Sequence, residues 1–169
     1  TNEKFINSFL SAKEIEGCSQ RTISYYKENI QRLISKLEKP IKGITTEDIR
    51  NYLSNYKETN NCGSVTIDNI RRVFSSFFAW LEDEDYIIKS PVRRIHKVKA
   101  ASIIKETFTD ENIEKMRDEC KNIRNLAIIE LLISTGMRVG ELVNLNIEDI
   151  NFEDRSCIVQ GKGNKQREV

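Results

Sequence analysis

The sequence predicts a mainly α fold: a four-helix bundle, a basic linker, and the start of an α+β unit with a small antiparallel sheet. Three observations predict it. Apolar residues recur at helical spacing in four blocks between Asn2 and Glu84, with capping residues between them. Only two prolines and seven glycines occur among 169 residues, which fits a mostly helical chain with few long loops. Beyond Ile150 the apolar period changes from helical to alternating.

The first helix is expected from Asn2 to about Glu16, where Phe5, Ile6, Phe9, Leu10 and Ala12 form one face. Gly17 breaks the chain, and Ser19 can cap a second helix from about Gln20 to Leu37. That helix buries Ile23, Tyr26, Ile30, Leu33, Ile34 and Leu37 on one side, while Arg21, Lys27, Arg32 and Lys36 occupy the others. Thr45 with Asp48 makes a variant capping box for a third helix through Tyr56. Ser64 can cap a fourth, running to about Glu84 and carrying Val65, Ile67, Ile70, Val73, Phe74, Phe77, Phe78, Trp80 and Leu81. Such an aromatic stripe is read as core rather than as a base-stacking surface. Arg71 and Arg72 on the same helix are either solvated charge or phosphate contacts. Tyr86, Ile87 and Ile88 are expected to close the bundle, completing a first domain over residues 1–88.

Residues 89–106 read as a linker, because Pro91 is followed by no sustained apolar period. From Lys89 to Lys105 the segment holds Arg93, Arg94, Lys97 and Lys99 and no acidic residue. An extended basic segment suits a phosphate backbone, where neutralising each phosphate releases counterions. A second domain, over residues 107–169, opens with a helix capped by Thr109 and stapled by Phe108 and Ile113. In the next helix Leu126, Ile128, Ile129, Leu131, Leu132 and Ile133 are apolar nearly all round, as in a helix buried inside a domain. Gly136 closes it, and Val139, Leu142, Val143 and Leu145 resume helical spacing, so Arg138 stands at the start of a new helix. Ile150 and Phe152 mark one strand, Glu153-Asp154-Arg155 a turn, and Cys157 to Val159 a second strand. Gly161-Lys162-Gly163-Asn164-Lys165 favours a tight hairpin, with a third strand beginning near Gln166.

Charge is abundant, 31% of residues, but the net charge of +1 argues against a globally basic nucleic-acid binder; distribution is what counts. Cys18, Cys62, Cys120 and Cys157 are widely separated and form no metal-ligand spacing, so no metal site is expected, and free thiols suit a reducing cytoplasm. No apolar run is long enough to span a bilayer and none resembles a leader, so a soluble cytoplasmic protein with no membrane association is expected.

Arginine offers a planar fork of donors and lysine a compact point charge, so Arg138 and Lys162 together could form a phosphate site. The run Thr135-Gly136-Met137-Arg138-Val139-Gly140-Glu141-Leu142, followed by Leu145, Asp149 and Gly161-Lys162-Gly163-Asn164-Lys165, resembles the beginning of the catalytic domain of tyrosine recombinases, the lambda-integrase-like and Xer-like superfamily. The resemblance implies that Arg138 clamps the scissile phosphate, that Lys162 protonates the departing 5′ oxygen, and that Glu141 supports the site geometry. It makes residues 1–88 a SAM-like core-binding domain whose second and fourth helices approach the major groove. DNA contacts are then expected from Arg21, Lys27, Arg71, Arg72, Arg93, Arg94, Lys97, Lys99 and Lys165.

The family's His-x-x-Arg motif and late nucleophilic tyrosine have no counterpart here. His96 precedes Arg138, as do Tyr25, Tyr26, Tyr52, Tyr56 and Tyr86. The chain is therefore expected to be an amino-terminal fragment of a recombinase or integrase of a mobile element, binding double-stranded DNA without cutting it. A homotetramer on DNA is expected for the full-length enzyme and a monomer for the fragment. Neither a metal nor another cofactor is implied, because bond energy is kept in a covalent 3′-phosphotyrosyl link. The alternative is a non-catalytic DNA-binding regulator on the same scaffold.

Overall fold

The computed structural model describes residues 1–99, 104–161 and 165–169, and it divides into two compact units, Thr1–Ile103 and Ile104–Val169. The first contains four helices among its described residues: α1 (Asn2–Ile15), α2 (Gln20–Leu37), α3 (Thr46–Thr59) and α4 (Ser64–Asp83), with a 3-10 turn at Ile41–Gly43. Local chemistry sets their ends. Gly17 takes a left-handed φ of 84°, and the Ser19 hydroxyl accepts the Thr22 N–H at 3.3 Å to start α2. Thr45 and Asp48 form the expected reciprocal box, with N–H to side-chain distances of 2.9 and 3.2 Å. The Asp48 carboxyl is held down to about 2 by its hydrogen bond from Lys39 and then by the Thr45 donors. For α4 the expectation fails by one residue: Gly63 is the cap, in extended conformation, and Ser64 is the first helical residue.

Aromatic and aliphatic side chains of all four helices meet in one core. Phe9, Ile30, Leu33, Ile49, Phe74, Phe77, Phe78 and Leu81 are fully buried or nearly so. Phe9 packs on Tyr26, Phe77 and Trp80, joining α1 to α2 and α4 at ring separations of 5.2 to 5.7 Å. Tyr86 and Ile87 pack against this core, but Ile88, expected to help close it, is fully exposed.

The segment after α4 departs most from the expected linker. Val92 is 2% exposed within the bundle core, and Ile95 and Val98 pack beside it. Hydrogen bonds add to this: the Ser90 N–H donates to Glu82 at 2.9 Å, and Thr46 donates to the Pro91 carbonyl at 2.7 Å. Residues 89–99 thus belong to the bundle. The physical reason is the spacing of Val92, Ile95 and Val98, three residues apart, which gives an apolar edge even where no regular helix forms.

In the second unit α5 (Asp110–Glu119) begins at Thr109, whose hydroxyl accepts the Asn112 N–H at 3.3 Å. Phe108, expected as its staple, remains 72% exposed. Next comes α6 (Ile123–Thr135), capped by Asn122 and tied to α5 by Arg117, which donates to both Glu130 oxygens at 2.6 and 2.9 Å. Gly136 ends α6 at a left-handed φ of 61°, as expected. α7 (Val139–Val143) and a 3-10 turn at Ile147–Asp149 lead into β1 (Ile150–Asn151), β2 (Ser156–Gln160) and β3 (Gln166–Glu168).

The three strands form an antiparallel sheet in the order β1-β2-β3, with Ile150 opposite Cys157 and Val159 opposite Arg167. Met137, Cys157 and Val159 make a small core, against which Leu131, Leu132, Leu142, Leu145, Ile150 and Val169 pack. Phe152 lies in the turn and is 72% exposed, because the Asn151 side chain accepts the N–H groups of Glu153 and Asp154 and ends β1. No residue of α6 is fully buried, and Ile133 is 40% exposed; Leu126, Ile128, Ile129, Leu131 and Leu132 are only half-buried by the described elements around them.

Candidate phosphate site and nucleic-acid interface

Arg138 owes its position to the glycine before it. The turn at Gly136 redirects the chain, Met137 plugs into the small core, and Arg138 becomes the N-cap of α7 with an extended backbone. Its side chain is 71% exposed. Glu141, one turn on, is the buried pivot, with its side chain 4% exposed. One of its oxygens accepts the Arg138 N–H at 2.7 Å and the other accepts Nη1 of the same residue at 2.9 Å. The i, i+3 relation thus fixes both the start of the helix and the direction of the guanidinium.

Sequence reasoning missed the second partner of Glu141. Arg167 on β3 donates Nη1 and Nη2 to the two carboxylate oxygens at 2.7 and 2.8 Å, a parallel fork. Its hydrogen bonds, followed by that of the Arg138 N–H, hold the Glu141 carboxyl at about 2, and the same pairing raises the pKa of Arg167. Glu141 therefore stays ionised throughout the physiological range and ties α7 to the sheet. The signal for Arg167 was indirect: a carboxylate at a position with apolar neighbours demands a cation, but pairing it needs the sheet register.

Gly161, at the base of the hairpin, donates its N–H to the Lys165 carbonyl at 2.7 Å. A side chain there would meet that carbonyl at 3.3 Å and Glu141 Oε1 at 3.4 Å, so glycine lets the hairpin come close to the carboxylate. Lys165 is exposed. Lys162, expected as the second catalytic cation, lies outside the described residues.

The cations expected on the bundle fall into different surroundings. Arg21 and Lys27 are exposed on α2. Arg71 is mostly covered, its side chain 14% exposed, whereas Arg72 is 62% exposed; both donate to Asp68. Arg93 pairs with Glu82 at 3.5 Å, and Arg94, Lys97 and Lys99 are exposed. Asp68 was also missed, although its spacing to Arg71 and Arg72 was legible. Its carboxyl is held below the usual range by the Arg71 hydrogen bond and, against the cost of burial, by the Val98 N–H. No helix among the described residues is long and apolar enough to cross a membrane.

Comparison with known proteins agrees with this architecture. The phage integrase N-terminal SAM-like domain matches residues 5–88, and the phage integrase family matches residues 106–169. Tyrosine recombinase XerC of Staphylococcus aureus strain JH9 is 31% identical over 172 residues, covering 96% of this chain and 57% of the relative. XerC of Staphylococcus haemolyticus strain JCSC1435 matches with the same identity and coverage. The chain thus spans little more than half the length of these relatives. Among solved structures, a lambda integrase (75–356) dimer bound to a COC′ core site superposes with a TM-score of 0.78 at 22% identity, covering 99% of this chain and 61% of that one. The Tn1549 transposon integrase in complex with circular intermediate DNA gives 0.62 at 25% identity, covering 95% and 57%. With both halves matched in order by integrase domains, and the recombinase relatives aligned across nearly the whole chain, this protein belongs to the tyrosine recombinase family of phage integrases.

Proposed function

We propose that this chain is part of a site-specific DNA recombinase that works through a 3′-phosphotyrosyl intermediate. The observation that carries the proposal is the Arg138–Glu141–Arg167 cluster, in which a buried carboxylate fixes an arginine whose side chain remains 71% exposed. A phosphate diester approaching that guanidinium meets donors already oriented. In the transition state, charge grows on the non-bridging phosphate oxygens, and donors that need no reorientation stabilise it most. Glu141 cannot swing toward the incoming anion, because Arg167 grips both its oxygens. It acts as a support for Arg138 rather than as a base.

In the complete reaction, a tyrosine oxygen attacks phosphorus, the 5′ oxygen departs with a proton supplied by Lys162, and the 3′ phosphate is held covalently. Attack by a 5′ hydroxyl of the partner strand reverses these bonds, so the phosphodiester is rebuilt without an external energy source. Residues 1–88, with the segment 89–99 packed on them, serve as a core-binding domain and residues 107–169 as the first part of the catalytic domain. Duplex DNA is the partner, contacted through Arg21, Lys27, Arg72, Arg94, Lys97, Lys99 and Lys165, and the whole enzyme assembles as a tetramer on DNA. The names of the similar proteins, which include DNA-bound integrases and tyrosine recombinases, support this reading.

The test is covalent trapping on a nicked duplex by the full-length recombinase. Arg138→Ala and Lys162→Ala are each expected to lower trapping by about a hundredfold or more, in the range found when a preorganised donor is removed, while duplex affinity changes little. Equal losses of binding and trapping would overturn the roles given to these residues.

A further inference from the structure

Asp68 sits in the second turn of α4, 5% exposed, on a helix whose other inward residues are apolar. Three donors meet its carboxylate from two directions. Arg71 Nε donates to Oδ1 at 2.9 Å and Arg72 Nε to Oδ2 at 3.0 Å, both from the same helix. The third donor is the backbone N–H of Val98, which reaches Oδ1 at 3.0 Å from beyond the end of the bundle's last helix. A buried carboxylate persists only when it is met in this way. Here the satisfying donor is also a tether.

That tether decides where the neighbours of Val98 go. The Val98 side chain packs against the bundle core, and in extended chain the residues on either side point the other way. Lys97 and Lys99 are accordingly both exposed. Together with Arg72, Val65, Asp68 and Asn69 they line a groove of about 490 Å³. The groove is narrow in chemistry: three cations at its rim, one carboxylate at its base already satisfied from within.

We infer that Asp68 is a positioning residue that locks Lys97 and Lys99 beside Arg72, so that the segment after the bundle and helix α4 present one preformed row of cations to a duplex phosphate backbone. This rests on the proposal that the chain binds DNA. An untethered basic segment would have to be ordered at the moment of binding, which weakens association. A segment already pinned to α4 avoids that cost, and its lysines enter the complex with Arg72 as a unit. Simple electrostatics gives the opposite expectation, because deleting a carboxylate from a DNA-facing surface removes repulsion. The two accounts differ in sign.

The experiment measures the affinity of this chain for a mixed-sequence duplex by fluorescence anisotropy across a salt series, with amide exchange at Val98 read by NMR on the same proteins. Asp68→Ala removes the acceptor and is expected to weaken binding about fivefold or more, given the ordering cost of two long side chains, and to accelerate exchange at Val98 in a folded bundle. Val98→Pro removes the donor while leaving the Asp68 charge and its arginine pairs, and is expected to weaken binding similarly. Replacing Lys97 and Lys99 with alanine should lower the salt slope by about 1.8 in the wild type and by distinctly less in Asp68→Ala, a non-additivity that general destabilisation would not produce. Binding as tight as or tighter than wild type in both Asp68→Ala and Val98→Pro overturns the inference alone. A wild-type chain that binds no duplex overturns the DNA proposal, and the inference with it.

Discussion

Phe77 offers a direct test of whether the aromatic stripe of α4 is core or a surface for bases. The ring is 0% exposed and lies 5.2 Å from Phe9 and 5.3 Å from Phe78, edge to face in both cases. Phe77→Ala removes a ring that joins α1 to α4, and the cavity left behind cannot close, because Phe9, Phe74 and Phe78 are themselves held on every side. Truncations of this kind cost about 3–5 kcal/mol, against a total stability for such a domain of about 5–15 kcal/mol. For a unit of this size the lower figure already corresponds to a fall of about 12 °C in the melting midpoint. The chain contains one tryptophan, Trp80, and it lies on α4, so its fluorescence in a urea titration reports on the bundle without interference from the second unit. The expected result is a lower midpoint at nearly unchanged slope. A loss under about 1 kcal/mol, accompanied by weaker binding of single-stranded DNA, would refute the core reading and restore the stacking one.

Two further outcomes follow from the same structure. The Glu141 carboxyl, ordinarily near 4.5, is held at about 2 when folded, so its pairing contributes stability above the unfolded value that is lost as pH falls through the folded one. Its NMR titration midpoint should therefore lie near 2 in the wild type and move upward in Arg167→Ala; an unmoved midpoint would show that Arg167 is not the dominant partner. Neutralising Arg93, Arg94, Lys97 and Lys99 together should flatten the salt dependence of duplex binding, by less than the roughly 3.6 that four free cations would give, because Arg93 already pairs with Glu82 at 3.5 Å. A drop of the full size would show that the pair opens on DNA.

Features set by near neighbours were legible without coordinates. The Thr45–Asp48 box, the Ser19 and Thr109 caps and the left-handed Gly136 all depend on residues within four positions of one another. So does the Arg138–Glu141 relation, where one helical turn brings the carboxylate under the guanidinium. The catalytic-domain resemblance was carried by the same short motifs, together with the hairpin glycines.

What escaped were groups whose roles depend on distant partners. Val92 looked like part of a linker, since nothing in its neighbourhood says that it joins the core of the bundle. The apolar circumference of α6 read as burial, but burial is a property of what surrounds a helix, and the described elements leave its apolar residues half-buried at most. Arg167 meets Glu141 across 26 positions and Val98 meets Asp68 across 30, both through folded elements whose register the sequence does not state. The helices, most of their caps and the turn that carries Arg138 could be read from residue order, because bonds to near neighbours decide them; the cap of α4 was read one residue late. Which cation or amide holds each buried carboxylate became visible with the folded chain alone, because that depends on how helices, sheet and returning segments close in space.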